Sequence, residues 1–167
     1  FAAKGYVILG WSEGGFANFM SRDRVETFEE LTASKCWVRA GDPVFELSMR
    51  EMGSPTVPLA LTDVLTSLQT GHVSTVYISP LACIALQWFP HLKYRHDIPI
   101  MNIPAALIVK KSVIDQLSER DREALLEICS EGFRELRDRT RADNEEAKKI
   151  LAEKGIETLQ VTPEDRV

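Results

Sequence analysis

The chain has 167 residues, of which 44% are hydrophobic and 27% charged, and its formal net charge is −5. This is the composition of a folded globular chain. Its acidity, with no basic run, excludes nucleic acid and anionic membrane surfaces as expected partners. No apolar stretch approaches the roughly 20 residues a bilayer-crossing helix needs.

Residues 5–12 (GYVILGWS) form a compact apolar run between glycines and predict a strand, and residues 16–20 (FANFM) predict a second. SEGG, between them, reads as a glycine-containing turn too short to cradle a phosphate. TFEEL allows at most one helical turn. A pattern then repeats. KCWVR is a strand, Asp42 caps the following helix, Pro43 sits in its first turn and Gly53 ends it. TVPLA is the next strand, Thr62 caps the helix DVLTSLQT, and Gly71 stops it. VSTVYI follows, and Ser79 and Pro80 open a helix PLACIALQWF that runs to Pro90. This last helix is apolar on nearly every side, which predicts burial. Three strand-to-helix units in succession predict an α/β fold with a mainly parallel sheet and flanking helices. The helix N-termini gather at the carboxyl edge of that sheet, where open α/β sheets bind ligands and where free N–H groups favour polar or anionic ones.

LKYRHDI and PAALIVKK are further strand candidates. Ser118 and Asp121 resemble a capping box for a helix over 119–154, about 54 Å long at 1.5 Å per residue. That exceeds the roughly 40 Å diameter of a compact chain of this length. The helix is therefore expected to kink, with Gly132 as a candidate, to project, or to brace a second lobe. Its polar stretch over 138–149 predicts exposure of much of the second half. IETLQVT predicts a final strand.

No catalytic or phosphate-binding motif is present, and His72, His91 and His96 lack metal-ligand spacing, so no enzyme, metal or cofactor is expected. Cys36, Cys83 and Cys129 lie in apolar runs and read as buried small hydrophobes. Trp37 and Arg39 are two apart on one strand and share a face. They form either a binding surface for a small carboxylate or a packed Trp beside a solvated Arg. Tyr77 and Ser79 close the third strand at the same edge, with packing as the default role.

Four blocks, KCWVRAGDP, MGSPTVPLALTDVLTSLQTGHV, STVYISPLACIALQWF and QLSERDREALLEICSEGFRE, together resemble the DctP-like solute-binding proteins of tripartite ATP-independent periplasmic (TRAP) transporters. The resemblance runs in order over essentially the whole chain and is most specific over 53–71. It implies a periplasmic-binding-protein-like α/β fold with one long C-terminal spine helix. It further implies a two-lobed periplasmic receptor that closes on a small organic acid, hands it to membrane permease subunits and has no catalysis of its own. Family chains are about twice as long, so this sequence reads as the later portion, lacking the N-terminal half of the first lobe. The chain opens at Phe1 rather than Met with no signal peptide, which reads as a leader or more having been removed. The expected organisation is a hinge strand and connection over 1–34, a ligand-binding lobe over 35–98, a crossing strand with part of the incomplete first lobe over 99–117, and the spine helix with the final strand over 118–167.

The departures from the family pattern shape the expected site. The family's carboxylate-binding Arg aligns with Trp37, a second frequent Arg with Ala17, and a frequent Asn with Ile78. The expected ligand contacts are Trp37 as an aromatic wall, Arg39 as a displaced anion contact, Leu61, Tyr77, Ile78 and Ser79, with Trp11 and Phe16 near the hinge. A free-standing α/β interaction or regulatory module is the alternative reading. Under either, exposed apolar surface makes a homodimer plausible.

Overall fold

The computed structural model describes residues 1–160, so residues 161–167 of the expected final strand and tail lie outside it. Strands β1 (Tyr6–Ser21), β2 (Cys36–Arg39), β3 (Thr56–Leu59), β4 (Thr75–Ile78), β5 (Tyr94–His96), β6 (Met101–Lys110) and β7 (Glu157–Leu159) form one mixed sheet. Its order is β3-β2-β4-β1-β5-β7, with β6 paired to β1 off that path. β2 is parallel to β3 and β4, β5 is parallel to β7, and β1 runs antiparallel to β4, β5 and β6. The helices are α1 (Phe28–Ala33), α2 (Pro43–Glu51), α3 (Val64–Thr70), α4 (Pro80–Ala85), α5 (Lys111–Ile114) and α6 (Glu119–Glu153).

Local chemistry accounts for many of the boundaries. The Asp42 carboxylate accepts from the Phe45 N–H at the start of α2, satisfying one of its open donors. At its end Gly53, at φ 78, adopts the left-handed conformation that a residue without a Cβ takes at little cost. Thr27 and Glu30 form a full capping box on α1. Ser118 caps α6 by accepting from the Asp121 N–H.

Three expectations are corrected. SEGG does not turn the chain: the two predicted strands are one 16-residue strand, β1, and SEGG lies inside it at a register slip between Glu13 and Phe16. A bulge absorbs the glycines because β6 continues to pair on both sides of it. Thr62 does not cap α3; a 3-10 turn, Leu61–Asp63, leads into that helix, and the Thr62 hydroxyl donates to Asp63. α4 stops at Ala85 rather than near Pro90. Gln87 takes φ 56, its N–H donates to the Ile84 carbonyl, and the Trp88 N–H donates to that of Cys83. These two bonds close the helix as a Schellman motif without glycine, and they turn Trp88 into the core, where it is 1% exposed. α6 runs without interruption through Gly132, and its polar stretch over 138–149 is mostly exposed, as expected. Thr140, Asn144, Ala147 and Leu151 are buried in the polar half, whereas Leu126, Ile128 and Leu136 of the first half are exposed.

That distribution follows from where the core lies. The main cluster draws on β1 from Ala17 onward, on β2, β4 and α3, and on Leu151 and Ile156. Above it, β1 and β6 form a two-stranded ribbon from Tyr6–Lys110 to Ala17–Met101, with Phe133, Arg137, Arg141 and Asn144 of α6 against β1. β1 and α6 have matched lengths, roughly 53 Å for 16 strand residues and about 52 Å for 35 helical ones. Both therefore cross from ribbon to core.

Candidate functional site

β2 and β3 end together, with Arg39 opposite Leu59, while β4 ends at Ile78 opposite Asn18 of β1. This carboxyl edge also carries the starts of α2 and α4 and the 3-10 turn at Leu61, which is 45% exposed. Arg39 is exposed and makes no ion pair among the described residues, while its backbone N–H donates to the Tyr77 hydroxyl at 3.3 Å. Its guanidinium is the uncommitted cation of this edge.

Beneath it the aromatic residues pack inward. Trp37 is 3% exposed, stacks on Tyr77 at 5.1 Å between centroids and meets Trp88 edge-on at 5.5 Å. Its indole N–H donates to the Leu59 carbonyl at 3.1 Å. Of the two readings of Trp37, the inward one describes its position. Tyr77 is also buried, with Phe45 against its ring, and burial pushes its hydroxyl pKa up. Ile78 and Ser79 are buried too, and the Ser79 Oγ has no hydrogen-bond partner among the described residues. Phe16 is exposed at the ribbon's lower end. Trp11 is exposed as well, but it pairs with Ala106 in the ribbon, seven residues from Asn18 and so roughly 23 Å along the strand. The fold thus assembles six of the eight expected residues at one edge, leaves Phe16 at its margin and places Trp11 well away.

A polar cluster at the passage from ribbon to core escaped the sequence reading. Arg141 donates from Nε to Glu13 at 2.5 Å, and Asn102 donates to the other carboxylate oxygen at 2.8 Å. The Asn18 side chain donates to the carbonyls of His96 and Ile98, fixing β1 to the segment that leads into β6. Glu13, Phe16, Asn18, Asp97, Arg141 and Asn144 line a cleft of about 610 Å³. The one sequence signal was the glycine pair beside Glu13.

Glu13 yields a pH-dependent prediction. The hydrogen bonds from Arg141 and Asn102 hold its carboxyl below the usual value of 4.5. A depressed folded-state pKa stabilises above the unfolded value and loses that contribution as pH falls through the folded one. Glu13→Gln is expected to lower the thermal midpoint at pH 7 by about 2–4 °C, a small change because Arg141 is mostly exposed. The gap from wild type should close as pH drops below 4.5 in a calorimetric pH series.

Among the described residues there is no group of His, Cys, Asp or Glu that would hold a metal, and no helix long and apolar enough to cross a membrane. Burial pushes the Cys36 and Cys83 thiols up to about 12, while Cys129 is partly exposed. Iodoacetamide at pH 8, followed by mass mapping, is expected to modify Cys129 within minutes and leave Cys36 and Cys83 intact until the protein is unfolded.

The chain matches the family described as bacterial extracellular solute-binding protein, family 7 (DctP), over residues 1–167. It is 27% identical over 164 residues to a solute-binding protein of Verminephrobacter eiseniae, covering 95% of this chain and 48% of that one. Among solved structures, a TRAP periplasmic solute-binding protein of Citrobacter koseri with bound D-glucuronate is 25% identical, with a TM-score of 0.86 over 95% of this chain and 52% of that one. One from Desulfovibrio salexigens with bound orotic acid has a TM-score of 0.89 at 15% identity, over 99% of this chain and 53% of that one. The chain spans about half the length of these relatives.

Proposed function

The chain belongs to the bacterial extracellular solute-binding proteins of family 7, and from that premise we propose that it takes part in capturing a small organic acid outside the cytoplasm and delivering it to the permease subunits of a TRAP transporter, without chemical turnover. The family match over all 167 residues carries this reading. The edge geometry suggests where the ligand is held: against Arg39 and Leu61, with Phe16 at the margin and with Trp37, Tyr77, Ile78 and Ser79 supporting the edge from beneath. Residues 35–98 act as the ligand-binding lobe, residues 1–34 and 99–117 supply the hinge and crossing strands, and residues 118–167 the spine and final strand. Ligand shifts an open–closed population, as differential affinity for two states requires.

Bound ligands in relatives guide the test. D-glucuronate accompanies the C. koseri protein and orotic acid the D. salexigens protein. Thermal-shift and calorimetric screens of this protein against uronic acids, orotate and small mono- and dicarboxylates are expected to give a saturable response with at least one. The absence of binding heat across such a panel, or the appearance of a chemically altered product, sinks the proposal.

A further inference from the structure

Asn144 joins three elements at one point. It is 6% exposed. Its Oδ1 accepts from the backbone N–H of Leu81 in the first turn of α4 at 3.1 Å. Its Nδ2 donates to the Thr140 carbonyl in its own helix at 2.9 Å and to the Gly14 carbonyl of β1 at 3.4 Å. Only one orientation of the amide satisfies these neighbours, because an N–H must meet oxygen and two carbonyls must meet N–H. The backbone of β1 comes so close that a Cβ on Gly15 would lie 2.4 Å from the Asn144 Nδ2, and Gly15 has φ 91. Glycine is required there on both counts.

Asn144 is also the last of a series. Phe133 fills the space over Gly10, Arg137 donates to the Trp11 carbonyl, Arg141 pairs with Glu13, and Asn144 reaches Gly14. Steps of four, four and three residues keep these on one side of α6. Beyond Asn144 the helix enters the core through Ala147 and Leu151, and beyond Gly15 the strand enters it through Ala17. The amide therefore sits where helix and strand both pass from ribbon to core, and it holds the start of α4, which directly follows Ser79.

We propose that Asn144 is a positioning residue that couples the Ser79–Leu81 turn at the carboxyl edge to the spine helix and to β1, so that ribbon and core hold a defined relative angle and displacement of that turn is passed to both. The functional value of the coupling rests on the receptor reading above; the coupling itself does not. Asn144→Ala removes all three bonds. Asn144→Asp keeps the acceptor for Leu81 and removes both donations.

The test uses spin labels on Glu51→Cys in α2 and Ser112→Cys in α5, with Cys129→Ser; Cys36 and Cys83 are buried. Pulsed dipolar spectroscopy without ligand is expected to give a narrow distance distribution with Asn144 present and one at least about twofold wider in both variants. Amide hydrogen exchange at Leu81 is expected to accelerate by about 10–100-fold in Asn144→Ala and to stay slow in Asn144→Asp. A purely structural role would lower the melting temperature of each variant without that split. If Asn144→Ala fails to fold, Asn144→Asp decides. Unchanged widths overturn the coupling. D-glucuronate, added as a probe, separates the two claims: a shift in the labelled parent that is lost in Asn144→Asp supports both. With no shift in the parent, the widths alone decide the coupling, and only the choice of ligand is set aside.

Discussion

Trp37→Ala is expected to destabilise the protein by about 3–5 kcal/mol, the range for removing a large aromatic from a packed core. The side chain is 3% exposed and packs on both Tyr77 and Trp88. The loss combines transfer and cavity costs. Trp37→Phe is expected to cost much less, about 1–2 kcal/mol. The Leu59 carbonyl that accepts from the indole also accepts from the Ala40 N–H at 3.0 Å, so phenylalanine leaves no orphaned acceptor. Urea unfolding of both variants at constant m-value measures this. A Trp37→Ala protein less than about 1 kcal/mol weaker than wild type would mean the ring is not part of the core.

Arg39→Ala is expected to do the opposite: to leave stability within about 0.5 kcal/mol of wild type and to weaken binding of an organic acid by roughly 10–100-fold. Loss of a hydrogen bond to a charged group costs about 1.5–3 kcal/mol, and each 1.4 kcal/mol is a factor of ten in affinity. The guanidinium has no competing ion pair among the described residues, so nothing offsets the loss. Arg39→Lys is expected to recover part of the affinity, since it restores the charge without the planar fork. Titration calorimetry with the carboxylate found in the screen, at low and high salt, measures both effects, and the wild-type advantage should shrink with salt. Equal affinity of wild type and Arg39→Ala would remove Arg39 from the site.

Together the two variants separate what adjacency in sequence had merged. Trp37 and Arg39 share a strand and a face in the sequence reading, yet one is held under the sheet edge and the other lies outside it. Alternation assigns a face to each side chain and says nothing of how far along that face cover extends. Here the cover over Trp37 comes from Tyr77 and Trp88, and Trp88 arrives only because α4 closes early at Gln87.

The sequence by itself determined the units whose signals are local. Asp42, Pro43 and Gly53 bound α2 as expected, and Gly71 ends α3 at φ 73. Strands β2, β3 and β4 appear where short apolar runs lie between such signals. Caps and turn glycines act within about four residues, so a linear reading captures them. The tertiary structure alone decided the rest. It made SEGG part of a strand, because β6 pairs on both sides of the bulge. It decided which residues of α6 are buried, because that depends on which half lies over the core. It also built the polar junction from partners far apart in the chain: Leu81 and Asn144 are separated by 63 residues, and Glu13 and Arg141 by 128. Contacts at such separations leave no period and no cap in the sequence. They exist only once β1 and α6 lie side by side, and at that point a polar residue on a polar helix becomes the fixed point between ribbon and core.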